Sequence, residues 1–258
     1  MKTATLALAC ALAALCAPPA GGQQRAAATH TYVIVHGAWG GGWDWRPVDS
    51  LLTAAGHRVH RVTLTGLGER VHLATPSTDL TTHVTDVVNA IRFEDLHDVV
   101  LVGHSYGGMV ITGVAERIPD RIRHLVYVDA FLPENGESVV TASDGRPIQR
   151  LVRMMLDSAR NDLLVPTWVR PDAPPPVDTP QPLKTFTEAL TLASPAARRI
   201  PGTYILTVAP GKAEADDDFA FFSQRAKARG FTHHVLRADH TPERSARREL
   251  VALLHAVP

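Results

Sequence analysis

Cysteine is nearly absent from this chain of 258 residues, in which only Cys10 and Cys16 occur. Both lie in an N-terminal apolar run, and neither has the position of a lipid-anchoring cysteine. A mature chain without that run would have no disulfide, no thiol nucleophile and no cysteine ligand for a metal. We therefore expect no metal site, no stable membrane anchor, and a fold that is stabilised by its hydrophobic core.

Net charge is also absent, because 26 basic residues balance 26 acidic ones. The arginine-rich segments 117–123 and 244–248 are interleaved with acidic residues, a pattern typical of solvated helix faces. No period of about 20 to 50 residues recurs along the chain. The composition therefore gives no reason to expect a nucleic-acid partner, an anionic-membrane partner or a repeat architecture.

No apolar run is long enough to span a bilayer, but a shorter one covers residues 4–17. Lys2 precedes this run, and Ala20-Gly21-Gly22 provides a small-residue cleavage site before Gln23. These features predict a signal peptide over residues 1–22 and a secreted or periplasmic protein. A buried N-terminal helix is the competing interpretation.

From residue 30 onward, short apolar segments alternate with segments of helical periodicity. The predicted helices cover 80–92, 109–118, 219–228 and 244–254, with a shorter helical stretch that ends at Gly56. The predicted strands cover 31–35, 57–64, 98–102, 125–128, 203–208 and 233–236. This alternation predicts an α/β fold in one domain over residues 30–258, with a mostly parallel central sheet and helices on both faces.

The alternation breaks down between residues 133 and 201, where prolines cluster and no strand is predicted. We interpret this segment as an inserted lid, with helical pieces at 148–160 and 183–192. The preference for particular acyl and alcohol groups would reside in this lid, so the sequence does not name the substrate.

The segment Gly103-His104-Ser105-Tyr106-Gly107 matches the pattern G-x-S-x-G between a predicted strand and a predicted helix. The serine of such a motif sits on a strained turn, where side chains at the two glycine positions would collide. The turn exposes the hydroxyl and directs a helix N-terminus at it. Ser105 is therefore the predicted nucleophile, and a tight turn with an idle serine is the alternative.

A serine hydroxyl needs a base to accept its proton. Among 13 histidines, His240 follows the last predicted strand and precedes the last helix, at the sheet edge where Ser105 lies. His36 and His104 flank glycines, and we expect them to shape the surrounding loops. His240 is the predicted base.

The base in turn needs an acid that orients it and stabilises its charged form. Asp129 ends the strand that follows the nucleophile and is the predicted acid, although it could instead cap the next segment. Asp239 adjoins the base, where neighbouring side chains diverge. The competing acids belong to an acidic run more typical of a solvated helix start and are Asp216, Asp217 and Asp218.

Two backbone N–H groups would hold the oxyanion that forms when the serine attacks a carbonyl. Tyr106, directly after the nucleophile, is one predicted donor. Ala38, in the loop after the strand 31–35, is the other. The nearby Trp39 and Trp43 either wall an apolar substrate pocket or anchor this loop to the core, and the sequence leaves both interpretations open.

Four segments, 35–43, 55–59, 103–108 and 127–133, together resemble the α/β-hydrolase superfamily. The branch resembles plant methylesterases and hydroxynitrile lyases and their bacterial esterase relatives, some of them associated with pyrethroid esters. The resemblance spans nearly the whole chain after residue 22, and it is weakest in the lid. It implies hydrolysis of small apolar esters through an acyl-enzyme, with no cofactor.

Two departures from this branch bear on the chemistry. In the plant members the acid follows the strand that corresponds to 203–208, where this chain has no carboxylate. In some relatives, such as certain haloalkane dehalogenases, the acid instead ends the strand after the nucleophile, which is the place of Asp129. The cyanohydrin lyases carry a lysine directly after the histidine, where this chain has Thr241.

We therefore expect a serine carboxylic ester hydrolase with Ser105, His240 and Asp129 as its triad. A hydroxynitrile lyase-like enzyme and a non-enzymatic ligand-binding homologue are the alternatives. Amide and lactone hydrolysis use the same chemistry and stay open, as does the oligomeric state.

Overall fold

A computed structural model describes residues 29–258, so the expected signal peptide over 1–22 lies outside the described residues. The strands are β1 (Thr31–Val35), β2 (Arg58–Val62), β3 (Val99–His104), β4 (Ile122–Val128), β5 (Ala159–Arg160), β6 (Leu163–Leu164), β7 (Gln181–Pro182), β8 (Gly202–Thr207) and β9 (Thr232–Leu236). Six of them form a central sheet in the order β2-β1-β3-β4-β8-β9, and every neighbouring pair is parallel.

Helices connect these strands and cover the sheet. They are α1 (Arg46–Ala54), α2 (Leu80–Phe93), α3 (Gly107–Arg117), α4 (Val139–Ser143), α5 (Gln149–Asp157), α6 (Lys184–Thr187), α7 (Pro195–Arg198), α8 (Ala220–Ala228), α9 (Pro242–Ser245) and α10 (Arg247–His255). Within residues 29–258, no helix combines the length and the apolar character that a membrane span requires.

The central strands of the sheet are buried on both faces, and their successive side chains, which point to opposite sides, enter two separate hydrophobic clusters. In β1, Tyr32 and Ile34 join the hydrophobic cluster under α1 and α10. Val33 and Val35 join the larger cluster, which includes α2, α3 and the 133–201 segment. A strand that is buried on both faces needs apolar residues on both, and the first four residues of β3, Val99 to Val102, are all apolar and buried. The predicted α/β-hydrolase fold, with helices on both faces of a mostly parallel sheet, is thus confirmed.

The order of the strands creates a crevice at the carboxyl edge of the sheet. The chain runs from β1 outward to β2 and then returns to the other side of β1 to form β3. Connections that leave β1 and β3 in opposite directions open a gap between them, and ligands bind at such switch points in open α/β sheets. The loop that follows Val35 and the turn at Ser105 both lie at this gap.

The 133–201 segment differs in part from its prediction. It contains helices α4 to α7, and it also forms an unpredicted antiparallel sheet of β5, β6 and β7. The predicted helix 183–192 is wrong beyond Thr187. The following chain is extended because Leu190 exchanges backbone hydrogen bonds with Gly136 and Glu137, at 2.8 and 3.0 Å. A helix would withdraw these groups from that pairing.

Candidate active site

Ser105 lies on the sharp turn between β3 and α3, with a backbone φ of 53°. The turn requires small neighbours on both sides. A Cβ atom on Gly103 would lie 2.7 Å from the Gly107 carbonyl oxygen, and one on Gly107 would lie 2.7 Å from the Val35 carbonyl oxygen. The two glycines therefore let the turn approach β1, and the Ser105 hydroxyl faces a cavity above the sheet.

His240, in the loop between β9 and α9, connects Ser105 to Asp129. Its Nε2 atom lies 2.9 Å from the Ser105 hydroxyl oxygen, and its Nδ1 atom lies 2.6 Å from a carboxylate oxygen of Asp129. With Nδ1–H donating to the carboxylate, Nε2 is free to accept the proton of the serine hydroxyl. The structure thus brings together the three side chains that the sequence singled out as nucleophile, base and acid.

Asp129 is held rigidly at the end of β4, where it is 2% exposed. Its N–H donates to the Ile205 carbonyl at 2.8 Å, and its second carboxylate oxygen accepts from the Thr207 N–H at 3.1 Å. Burial raises the pKa of Asp129, while the hydrogen bond from His240 acts in the opposite direction. Burial also disfavours the charged form of His240, but the hydrogen bond and charge of Asp129 outweigh it and raise the pKa of His240.

The competing acids are not brought to the base. The carboxylate of Asp217 pairs with the Lys212 ammonium at 3.2 Å and accepts the Phe219 N–H at 3.0 Å. Asp216 lies in an exposed 3-10 turn, and neither it nor Asp218 has a hydrogen bond to His240 within the described chain. Both ring nitrogens of His240 are occupied by Asp129 and Ser105.

Two further residues fix the orientation of His240. The ring of Phe219 stacks on the imidazole, with centroids 4.9 Å apart and planes 11° from parallel. His104 donates from Nε2 to the His240 carbonyl at 2.7 Å, and burial lowers the pKa of His104 well below its usual value, so it stays neutral. His104 was marked in the sequence by its place in the serine motif, whereas nothing in the local sequence singled out Phe219.

The two predicted oxyanion donors, Ala38 and Tyr106, both line the cavity beside Ser105. In the part of the chain that the structure describes, neither backbone N–H donates to another protein group. His36 holds the loop before Ala38, since its Nδ1–H bonds to the Gly37 carbonyl at 2.7 Å and its Nε2 accepts from the Leu64 N–H at 3.2 Å. Two unoccupied donors thus flank the serine.

The cavity above Ser105 has a volume of about 310 Å³ and is mainly apolar. Trp39 lies in its wall, while Trp43 lies outside it with the Arg244 guanidinium 5.5 Å from its ring centroid. Polar groups gather at one side, where Arg244 pairs with Asp44 near Asp178 and the buried Glu243. The apolar wall comes largely from the 133–201 segment and contains Ile148, Leu151, Val152, Met155, Trp168 and Phe186.

Metal-binding geometry is not found near this cavity or elsewhere in residues 29–258, where no group of three or more His, Cys, Asp or Glu side chains is arranged to hold an ion.

Comparison with known proteins relates this chain to hydrolases. The model of the alpha/beta hydrolase family matches residues 32–253. The chain is 57% identical over 109 residues to the carbendazim hydrolyzing esterase of Nocardioides sp. (strain SG-4G), covering 42% of this chain and 45% of that protein. It is 34% identical over 118 residues to methylesterase 2 of Arabidopsis thaliana, covering 42% and 41%. The matches thus span less than half of these curated relatives.

Among solved structures, an extracellular alpha/beta-hydrolase from a Paenibacillus species resembles the chain over most of its length. The TM-score is 0.71 and the sequence identity 25%, and the alignment covers 87% of this chain and 97% of that one. The likeness therefore covers most of the chain and includes at least part of the 133–201 segment.

Proposed function

The chain belongs to the alpha/beta hydrolase family, and we propose that it is a serine esterase that cleaves small carboxylic esters through an acyl-enzyme. The observation that carries this proposal is the continuous chain of hydrogen bonds from Asp129 through His240 to Ser105, which ends at an apolar cavity. The esterase names of the relatives support it.

In the proposed reaction, the Ser105 oxygen attacks the ester carbonyl carbon while His240 Nε2 takes the hydroxyl proton. Asp129 stabilises the imidazolium that results, and the N–H groups of Ala38 and Tyr106 bind the negatively charged oxygen. When this intermediate collapses, His240 gives its proton to the departing alcohol. Water, deprotonated by His240, then attacks the acyl-enzyme and releases the acid and free Ser105.

The 133–201 segment acts in this proposal as a lid that selects the substrate. Its apolar side chains roof a cavity of about 310 Å³, which suits a compact ester with an aromatic or short aliphatic group. A substrate panel should include p-nitrophenyl esters of increasing acyl length, methyl esters of aromatic acids, and carbendazim, the compound named for the Nocardioides relative.

The decisive experiment compares the wild-type protein with Ser105→Ala on this panel. We expect hydrolysis of short p-nitrophenyl esters by the wild type and a rate near background for the variant, because the nucleophile is lost. Retained hydrolysis in the variant contradicts the proposal. A fluorophosphonate that labels Ser105 would further distinguish an activated serine from a merely ligand-binding pocket.

A lyase acting on cyanohydrins is the second reaction to test, because the resemblance includes such enzymes. Thr241 lines the cavity directly after His240, where those lyases carry a lysine. We therefore expect no release of aldehyde from mandelonitrile above the buffer rate. Aldehyde release that depends on Ser105, without ester hydrolysis, would replace the esterase proposal with a lyase.

Export belongs to the same proposal, with cleavage after residue 22. N-terminal sequencing of the protein recovered from the culture medium or periplasm tests it, and Gln23 is the expected first residue. Recovery with an intact Met1 from the cytoplasm contradicts export.

A further inference from the structure

Trp39 lies in the loop 36–41 after β1, here called the oxyanion loop, and it joins this loop to the lid through hydrogen bonds to three residues. Its backbone N–H donates to Gln181 Oε1 at 2.9 Å, and its backbone carbonyl accepts from the Thr179 N–H at 2.8 Å. Its indole N–H donates to the Leu164 carbonyl at 3.0 Å. All three partners belong to the 133–201 segment, so the loop that holds the predicted donor Ala38 is bonded directly to the lid.

The backbone of Trp39 needs this support. Its φ is 61°, which lies in the left-handed region. Residues other than glycine rarely adopt this conformation, and they keep it where the surrounding structure holds them in place. The Trp39 N–H belongs to the peptide group that joins it to Ala38. A hydrogen bond that fixes the plane of this peptide therefore restricts the orientation of Ala38, whose own N–H is a predicted oxyanion donor.

The side chain of Gln181 is buried and is held in one orientation by its own hydrogen bonds. It is 0% exposed in β7, and its amide nitrogen donates to the Thr185 hydroxyl at 2.8 Å. The Thr185 hydroxyl in turn donates to the Pro182 carbonyl at 2.6 Å. Because the Thr185 hydroxyl donates its proton to the Pro182 carbonyl, it can only accept a hydrogen bond from Gln181. The amide nitrogen of Gln181 therefore faces Thr185, and its amide oxygen faces Trp39.

The oxyanion loop is therefore held from two sides. His36 binds it to Leu64, in the chain that follows β2, and Gln181 binds it to the lid. A side chain that only covered the cavity would contact the substrate, whereas Gln181 contacts the backbone next to a predicted transition-state donor.

We propose that Gln181 is a positioning residue through which the lid sets the geometry of the oxyanion hole, so that the lid contributes to kcat and not only to substrate binding. This inference rests on the proposed esterase function. Gln181 acts through Trp39 and Ala38 and does not touch the reacting atoms.

The test replaces Gln181 with methionine, which keeps the length of the side chain but cannot accept the Trp39 N–H. We expect kcat for p-nitrophenyl esters to fall roughly 10- to 100-fold, somewhat less than the loss of a whole oxyanion donor. KM and the acidic limb of the pH–rate profile should stay close to the wild type, because neither the cavity nor His240 is altered. The affinity for a phenylboronic acid, which forms a tetrahedral adduct with Ser105, should fall by a factor similar to that for kcat.

Glu188→Ala is the matched control, since Glu188 also links the lid to the body but has no hydrogen bond to Trp39 among the described residues. Its carboxylate accepts from the Thr81 N–H at 2.8 Å and from the Thr81 hydroxyl at 2.6 Å. We expect this variant to keep its kcat and its boronate affinity. Equal losses in both variants, or a loss confined to KM in Gln181→Met, would show that the lid only needs to be in place and would overturn the inference.

Two further measurements keep the test decisive. If Gln181→Met does not fold, Thr185→Val removes the anchor of the Gln181 amide and should lower kcat in the same direction by a smaller factor; an unchanged kcat overturns the inference. If the wild type binds the boronate but hydrolyses no ester of the panel, the esterase proposal fails, while the boronate comparison still decides the role of Gln181. A wild type that neither hydrolyses the panel nor binds the boronate contradicts both.

Discussion

Three residues at the carboxyl edge of the sheet share an unusual backbone conformation. Trp39, Ser105 and Asp129 follow β1, β3 and β4 with φ values of 61°, 53° and 43°. Such non-glycine positions cost on the order of 1–3 kcal/mol each and persist where the surroundings hold them. For Ser105 and Asp129, the surroundings are the next strands, because their N–H groups bond to the carbonyls of Val128 and Ile205. The parallel sheet therefore continues its hydrogen bonding into the site and imposes these turns.

The identity of the acid can be tested with a pair of variants. Asp129→Asn should lower kcat roughly 10³- to 10⁴-fold, because an amide neither stabilises the imidazolium nor selects the correct tautomer of His240. Asp217→Asn is the matched control, since its carboxylate pairs with Lys212 and not with the base. Steady-state kinetics on one p-nitrophenyl ester distinguish them, and a larger loss in the Asp217 variant would reverse the assignment.

Glu243 is a buried acid whose protonation affects stability. It is 1% exposed, one carboxyl oxygen lacks a partner among the described residues, and burial together with the charge of Asp44 raises its pKa to about 8. The folded state thus holds a proton that the unfolded chain releases near its ordinary pKa of about 4.3. The stability that protonated Glu243 contributes is therefore fully present below about pH 4.3 and is lost as the pH rises through about 8.

Glu243→Gln should therefore be more stable than the wild type at pH 8 by on the order of a few kcal/mol, with little gain at pH 4.5. Urea denaturation at the two pH values measures this difference. Glu249→Gln, at an exposed position of α10, serves as the control. A gain for the Glu243 variant that is the same at both pH values would contradict the argument.

At the scale of elements, helix α2 is fixed by its first turn as well as by its apolar face. The Asp79 carboxylate accepts from the Thr82 N–H at 2.8 Å, and Thr82 Oγ1 accepts from the Asp79 N–H at 3.5 Å, which completes a capping box. Asp79→Ala should lower the free energy of unfolding by about 1 kcal/mol, whereas Asp79→Asn keeps an acceptor and should cost little. Equal losses for both variants in urea denaturation would show that the cap is not the cause.

The long elements were predictable, and the short ones were not. Each strand of the central sheet lies within three residues of its predicted bounds, because an apolar run or an alternating segment between turn signals indicates a strand. Strands β5, β6 and β7 have two residues each and exist only through their mutual pairing, which no local pattern encodes. For the same reason, the extended chain after Thr187 depends on its partners near Gly136, and helical periodicity alone mispredicted it.

At the scale of the whole molecule, buried histidines make the fold sensitive to acid. Burial lowers the pKa of His36 to about 4, that of His83 to about 3 and that of His124 to about 4. His57 is locked in its neutral form, because its Nδ1 accepts from the His30 N–H at 3.1 Å, and burial lowers its pKa too. Unfolding raises the pKa of each histidine toward about 6.5. The stability that their neutral forms contribute is therefore complete above that pH and is lost as the pH falls below it.

We therefore expect the melting temperature to drop steeply between pH 6.5 and pH 5. Over this range each such histidine lowers the free energy of unfolding by up to about 2 kcal/mol, and a typical domain has a total of only about 5–15 kcal/mol. Calorimetry across this range measures the slope. His124→Gln, far from the candidate site, should reduce the slope, since its ring then no longer takes up a proton on unfolding. A melting temperature that stays constant down to pH 5 would contradict this account.

The sequence by itself determined the sheet, the serine turn and the place of the predicted base at the sheet edge, because each depends on the pattern of a few consecutive residues. Only the tertiary structure decided which of the candidate acids contacts His240. His240 lies 111 residues from Asp129 and 135 from Ser105, and their contact depends on the alignment of β4, β8 and β9, which no local pattern reports. The hydrogen bonds between Trp39 and the lid are likewise visible only in the tertiary structure. They join residues more than 100 positions apart, through side chains that have no motif of their own.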